Sequence, residues 1–298
     1  MGVATGGSAV QAPIFVVGSP RSGTGMMRTV LRMHPGIAMR PREETFLWRR
    51  GLPEDVGDRL TPEQATPKLI SYIRKSYAKY QRQAQPGQRI GDKTTGHALR
   101  VGFVASMFPD SQFLHIIRDG RAAAVSARRE WQADVRPRVR RAVDAPLMTV
   151  IKGAWKYFGR RVKRAFTGRR RVGLWGPRFR GVQKAVKERP LIEVCGMLWR
   201  ECVETAHKEG TALGPKRYME FHYEDFCRNP RNVLGEILDF LDLPPDEKIN
   251  QWLDERISTT RNQAWVDHIS PEELEALMRE IGPTMKKFGY PAEAEATP

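Results

Sequence analysis

Between Gly18 and Gly25 the chain reads Gly-Ser-Pro-Arg-Ser-Gly-Thr-Gly, a stretch in which Arg21 offers a fixed cationic fork and Ser22 and Thr24 offer hydroxyl donors. Gly18 and Gly23 permit tight turning and close backbone approach to a ligand. The preceding run, Ile14-Phe-Val-Val17, is unbroken and apolar, as expected of a strand buried on both faces. After the loop, Met26, Met27, Val30 and Leu31 recur at helical spacing. Strand, glycine-bearing loop and helix together aim successive backbone N–H groups at an anion. Gly18 and Gly23 match the nucleotide-triphosphatase pattern, but Thr24-Gly25 stands where that pattern requires Lys-Ser/Thr. The lysine for β/γ-phosphates and the hydroxyl for magnesium are therefore missing, which argues against ATP or GTP hydrolysis. The plainer alternative is an ordinary strand-to-helix turn with a helix cap.

A second site is announced by Phe113-Leu-His-Ile-Ile117, an apolar strand running straight into Arg118-Asp-Gly-Arg-Ala-Ala-Ala-Val-Ser126. An arginine at the carboxyl end of a central strand is costly unless it meets an anion or a carboxylate. Ser126 falls about two turns into the following helix. The competing reading is an Arg118–Asp119 surface pair. Glu43 and Glu44 follow the phosphate loop by one helix-plus-strand unit, where a parallel sheet opens its cleft. Lys93 and His97 are the polar groups to watch in Arg89-Ile-Gly-Asp-Lys-Thr-Thr-Gly-His97, a short strand or loop leading into a helix.

The elements that must hold these residues are those of an α/β domain. Leu69, Ile73 and Tyr77, with Tyr80 beyond, mark one face of a polar helix ending before Pro86-Gly87. Val104 and Met107 belong to another. Leu191 to Lys208 is a helix with Ile192, Cys195, Leu198, Trp199, Cys202 and Val203 on one side, and Arg217 to Tyr223 alternates as a strand. Asn229-Pro230 opens a helix, and Ser270-Pro-Glu-Glu starts the last one.

The net charge of +16 over 298 residues suggests nucleic acid until it is located. Residues 136–190 hold 18 Lys/Arg against two acids, which is the whole excess, and the remainder is neutral. The excess therefore belongs to an inserted segment rather than to the fold. Within it Ile151, Trp155, Phe158, Val162 and Phe166 form a stripe opposite lysines and arginines. Such a helix suits an anionic membrane surface, a cover over a site with acidic substrates, or simple core packing. The loop Gly173 to Gly181 interleaves aromatic and cationic groups that suit closure over a sugar or nucleobase, or stacking on the fold. Three cysteines without metal or redox spacing fit a reducing, cytoplasmic compartment. Residues 1–12 read as a flexible, uncharged N-terminus without signal-peptide pattern, and no run is long enough for a membrane span.

These motifs resemble the PAPS-dependent sulfotransferase family, in its bacterial, carbohydrate-type branch. Pro20 to Gly25 is similar to that family's 5′-phosphosulfate loop, and Arg118 to Ser126 to its 3′-phosphate motif. Asp92-Lys93-Thr94, Trp175-Gly-Pro-Arg178 and Tyr223-Glu-Asp225 are similar to further family elements. The resemblance covers residues 13 to 290 and implies a single domain with a P-loop-like three-layer α/β fold, its parallel sheet between helices, interrupted by the basic segment 136–190 as an insertion or lid. It implies 3′-phosphoadenosine 5′-phosphosulfate as donor, adenosine 3′,5′-bisphosphate as product and no metal. Donor contacts are expected at Arg21, Ser22, Gly23, Thr24, Gly25, Met26, Arg118, Ser126, Tyr223, Asn262 and Trp265. Catalytic roles are expected of Arg21, Glu43, Lys93 and His97. Arg21, unable to release a proton, stabilises charge on the bridging oxygen. For the general base, Glu43 in Arg42-Glu-Glu-Thr-Phe46 is similar to the carboxylate of the glycan branch, while His97 resembles the histidine of small-molecule sulfotransferases. Gly25, where relatives often carry Thr, removes one hydroxyl and leaves an N–H. The implied acceptor is a hydroxyl, less readily an amine, of a saccharide or glycolipid, with peripheral membrane contact through 151–166 and no nucleic acid. A nucleotide kinase, or a basic membrane- or nucleic-acid-binding protein on a degenerate P-loop fold, are the readings from other classes.

Overall fold

The computed structural model of the protein describes residues 10–53, 56–133 and 174–291. Five strands, β1 (Ile14–Gly18), β2 (Ile37–Met39), β3 (Arg89–Lys93), β4 (Gln112–Ile117) and β5 (Tyr218–His222), form one sheet in the order β2-β3-β1-β4-β5. Every neighbouring pair is parallel. β1 is central, with Ile14 opposite Gly91 on one side and Gln112 on the other. Its apolar residues are all fully buried, which is why the run shows no alternation.

On one face, Ile14 and Val16 pack with Leu114 and Ile116 against α1 (Thr24–Met33) and a later helix, Pro230–Phe240. On the other, Phe15 stacks on Phe113 at 5.2 Å and meets the rings of Trp48, Tyr77 and His97 at 5.5–6.1 Å. Tyr77 comes from α2 (Pro67–Gln81), whose buried residues are the predicted Leu69, Ile73 and Tyr77. α3 (Val101–Met107), α4 (Gly120–Gln132), α5 (Val182–Glu188) and α6 (Leu191–Thr211) follow, and α6 crosses β1 and β4. After β5 come α7 (Tyr223–Arg228), α8 (Pro230–Phe240), α9 (Glu247–Arg256) and α10 (Pro271–Lys287). α10 starts in the predicted capping box of Ser270 and Glu273. The result is the expected three-layer, P-loop-like arrangement.

Two compact units are distinguished, one of Met1–Arg129 with Gly176–Pro298, the other Glu130–Trp175. The stripe 151–166 and most of the basic segment lie outside the described residues. In the second unit the rings of Trp131 and Trp175 lie 6.1 Å apart. In the first, the Arg178 stretch of the turn-rich loop packs on the fold: Arg178 N donates to Asp58 Oδ2, and Asp58 N to the Arg178 carbonyl, both at 2.7 Å. No helix among the described residues is long and apolar enough to cross a membrane.

Candidate active site

Because the sheet is parallel, the carboxyl ends of β3, β1 and β4 lie side by side along one edge. The loop after β1 curls through two left-handed residues, Arg21 (φ 69°) and Gly23 (φ 89°). For Arg21 that conformation costs about 1–2 kcal/mol, a kind of strain concentrated at functional sites. At Gly23 a side chain has no room, since a Cβ would lie 2.4 Å from the Tyr223 ring. α1 then begins with no side-chain cap and no acidic residue in its first turn. The first intrahelical bond there runs from Met27 N to the Gly23 carbonyl, 3.0 Å. The N–H groups of Thr24, Gly25 and Met26 precede it and constitute the positive end of the helix. Ser22 is fully buried, its hydroxyl 2.5 Å from that of Ser19, and Thr24 is only 3 % exposed. Ser22 thus braces the loop from within, while the Arg21 side chain is exposed.

Arg118 follows the last residue of β4. Its Nη1 donates to the Arg21 carbonyl at 2.9 Å, its guanidinium lies 4.5 Å over the Tyr223 ring, and its Nε is buried without a hydrogen-bond partner. Asp119 is not its partner, for that carboxylate takes Nη2 of Arg121 at 2.8 Å. Arg21 Nε in turn donates to Ser126 Oγ at 3.0 Å, so the two predicted anion motifs meet across about a hundred residues of chain (sequence separations 97 and 105). Tyr223 touches both, and burial together with Cys227 pushes its hydroxyl pKa up to about 12. Trp265 is buried beneath Arg121, 4.8 Å from the guanidinium. Asn262 closes a short turn, Thr259–Arg261, that packs on α7, and its Oδ1 is buried with no hydrogen-bond partner. The orphaned Arg118 Nε and the uncapped helix suit a ligand with two separated anionic ends.

At the end of β3, Lys93 donates from Nζ to Glu43 Oε1, while Thr95 donates to Oε2 from its backbone N (3.2 Å) and its hydroxyl (2.9 Å). Burial pushes the Glu43 carboxyl pKa up, but Lys93 and the Thr95 donors outweigh it and hold the value below the usual range. Its neighbour Glu44 pairs instead with Arg40, a buried guanidinium that also lies 3.8 Å from Asp92. Thr95 was not singled out in the sequence; its adjacency to Lys93-Thr94 was the available signal.

His97 goes elsewhere. The short helical turn Thr95–Leu99 rotates it into the core, 0 % exposed, edge-on to Trp48 at 4.6 Å. Its Nδ1 accepts from Arg100 Nε at 3.4 Å, Nε2 lies 3.6 Å from Asp92, and burial lowers its pKa. The structure brings Arg21, the α1 N-terminus, Arg118, Ser126 and Tyr223 together and places Glu43 and Lys93 at the next strand end, while His97 lies beneath them.

Comparison with known proteins gives the family. The Drosophila melanogaster protein-tyrosine sulfotransferase is 22% identical over 311 residues, covering 93% of this chain and 51% of the fly protein, so the chain spans about half the length of that relative. Mouse protein-tyrosine sulfotransferase 1 is 30% identical over 125 residues, 38% of this chain and 33% of the mouse protein. In fold, the chain is similar to the sulfotransferase domain from the curacin biosynthetic pathway, with TM-score 0.57 and 16% identity over 95% of this chain and 99% of that one. A sulfotransferase family model matches residues 13–177, the span that holds the β1 loop, Glu43, Lys93, Arg118 and Ser126, and the chain belongs to that family.

Proposed function

We propose that the protein transfers the sulfuryl group of 3′-phosphoadenosine 5′-phosphosulfate to an acceptor hydroxyl, and that this hydroxyl is a tyrosyl one. The observation that carries the reading is the alignment of three features along one sheet edge: the Glu43–Lys93 pair at β3, the Arg21 loop with its uncapped helix at β1, and Arg118 at β4. The donor's 3′-phosphate suits Arg118 and Ser126, and its 5′ end suits Arg21 and the N–H groups of Thr24, Gly25 and Met26.

In the reaction an acceptor oxygen forms a bond to sulfur as the bond from sulfur to the bridging oxygen breaks. Glu43 receives the acceptor proton. Arg21 and the α1 N-terminus meet the negative charge that grows on the bridging oxygen. Lys93 holds Glu43 and orients the acceptor.

The acceptor assignment rests on two supports. Matched relatives are named for protein tyrosine. A carboxylate held below the ordinary range is also a weak base, better matched to a phenol, with a pKa of about 10, than to the less acidic hydroxyl of a sugar. A saccharide acceptor is the second reading, favoured by Phe46, 89% exposed and three residues past Glu43, as a platform for a sugar ring. The test is transfer of labelled sulfate to tyrosine-containing peptides and to saccharides in parallel. Stabilisation by adenosine 3′,5′-bisphosphate without magnesium and peptide labelling are expected. Stabilisation only by magnesium-ATP would overturn the enzyme assignment, and exclusive labelling of saccharides would replace the acceptor.

A further inference from the structure

Only Arg118 and Asp119 separate the last residue of β4, Ile117, from the first of α4, Gly120, and the polar groups around this tight junction need partners from elsewhere. They find them in distant parts of the chain. The Ile117 carbonyl accepts from the Tyr290 hydroxyl at 3.3 Å, and the Arg118 carbonyl from Trp199 Nε1 at 3.0 Å. Asp119 N donates to Glu224 Oε1 at 3.0 Å, and Gly120 N to Met285 Sδ at 3.2 Å. Glu224 Oε2 accepts from Tyr290 at 2.8 Å, the shorter arm of the one hydroxyl proton it shares with the Ile117 carbonyl. Glu224 is thus held from both oxygens, between the Arg118 turn and the far end of the described chain.

Local chemistry explains how Tyr290 gets there. Gly289 adopts φ 76° just past α10; its N–H bonds to the Lys286 carbonyl at 3.2 Å and that of Tyr290 to Met285 at 3.0 Å. This is the reversal in which a left-handed glycine terminates a helix and satisfies its last carbonyls. It turns the Tyr290 side chain back toward β4. Burial and the adjacent Glu224 raise the Tyr290 pKa, so its hydroxyl stays a donor.

We infer that Glu224 and Tyr290 are positioning residues for donor binding: Glu224 fixes the Arg118 turn through the Asp119 N–H, Tyr290 fixes Glu224, and the adjoining Tyr223 ring supports the Arg118 guanidinium. The inference rests on the donor assignment above and makes recognition of the 3′-phosphate depend on residues that do not touch it.

The test titrates adenosine 3′,5′-bisphosphate and adenosine 5′-monophosphate, which lacks the 3′-phosphate, against four proteins by calorimetry. These are the unaltered chain, Tyr290→Phe, Glu224→Gln and Glu224→Ala. Tyr290→Phe removes one oxygen and is expected to weaken the bisphosphate roughly three- to tenfold, a net hydrogen bond, with the monophosphate unchanged. Glu224→Ala should weaken the bisphosphate further. Glu224→Gln should restore it, because the amide oxygen still accepts from Asp119 N and the amide nitrogen can donate to the Tyr290 oxygen. In turnover the donor KM of Tyr290→Phe should rise by the same factor at constant kcat. Equal weakening of both nucleotides, or none in Tyr290→Phe and Glu224→Ala, overturns the inference. An unaltered protein that fails to prefer the bisphosphate overturns the donor assignment first, and the inference with it.

Discussion

Glu43→Gln is the substitution that most directly tests the chemistry. It preserves the shape of the side chain and leaves an oxygen for Thr95, but removes the charge that faces Lys93 and the capacity to take a proton. General-base catalysis contributes about 10²–10⁴-fold, so kcat should fall by that factor, or about 3–5 kcal/mol of transition-state stabilisation. Folding should hardly respond. The Glu43 side chain is 33% exposed against 11% for Lys93, and ion pairs with that much solvent contact are worth about 0–1 kcal/mol. Affinity for adenosine 3′,5′-bisphosphate should stay within about twofold, because Glu43 lies at the β3 end, outside both anion pockets. Single-turnover transfer from labelled donor separates these quantities. The pH profile adds a sign. Since the carboxyl pKa is lowered from 4.5, Glu43 is already ionised at weakly acidic pH and contributes no rising limb near neutrality. Its part in folding stability is likewise present above the unfolded value and lost as pH falls through the lower folded one. Turnover near normal in Glu43→Gln would refute the reasoning. So would a rising limb near neutrality that His97→Asn abolishes.

Arg118→Ala should weaken adenosine 3′,5′-bisphosphate by roughly ten- to a hundredfold, the worth of charge-assisted hydrogen bonds, and unchanged affinity by calorimetry would remove it from the site. Gly23→Ala forces a left-handed alanine against Tyr223 and should cost about 2–4 kcal/mol of stability in urea unfolding, with donor binding lost; a neutral result would mean the ring yields freely. Gly25 is the opposite case, with nothing within 4 Å of a Cβ, and Gly25→Ala should stabilise the fold by roughly 0.5–1 kcal/mol. Asp92 is fully buried; burial would raise its pKa, yet His97 and the Tyr77 and Thr94 hydroxyls hold it at about 2 instead of 3.8. Its contribution, on the order of 2 kcal/mol, is present above pH 3.8 and disappears as pH falls toward 2, so Asp92→Asn should flatten acid unfolding in that window.

Much of the site was legible in the chain itself, because anion cradles are built from local chemistry. An apolar run, a glycine loop with an arginine and a following helix are contiguous, and Arg118 betrays itself by standing where a central strand should end. Side-chain direction was not legible. Ser22 carries a hydroxyl in the right loop, but its side chain turns inward to Ser19. His97 follows Lys93-Thr94 closely, but one helical turn aims it at Trp48. Spacing names which residues are near a strand end; it does not say which way each side chain points once the core has closed.

By itself, then, the order of residues determined a parallel α/β fold with two cationic sites, since unbroken apolar strands, glycine turns and helix starts are decided by neighbours in sequence. Only the tertiary structure decided that Arg21 and Ser126 touch, that Glu43 is held by Lys93 and Thr95, and that Glu224 bonds both Tyr290 and the Asp119 N–H. Those contacts join residues far apart in the chain, and packing across the sheet edge selects them where no local rule can.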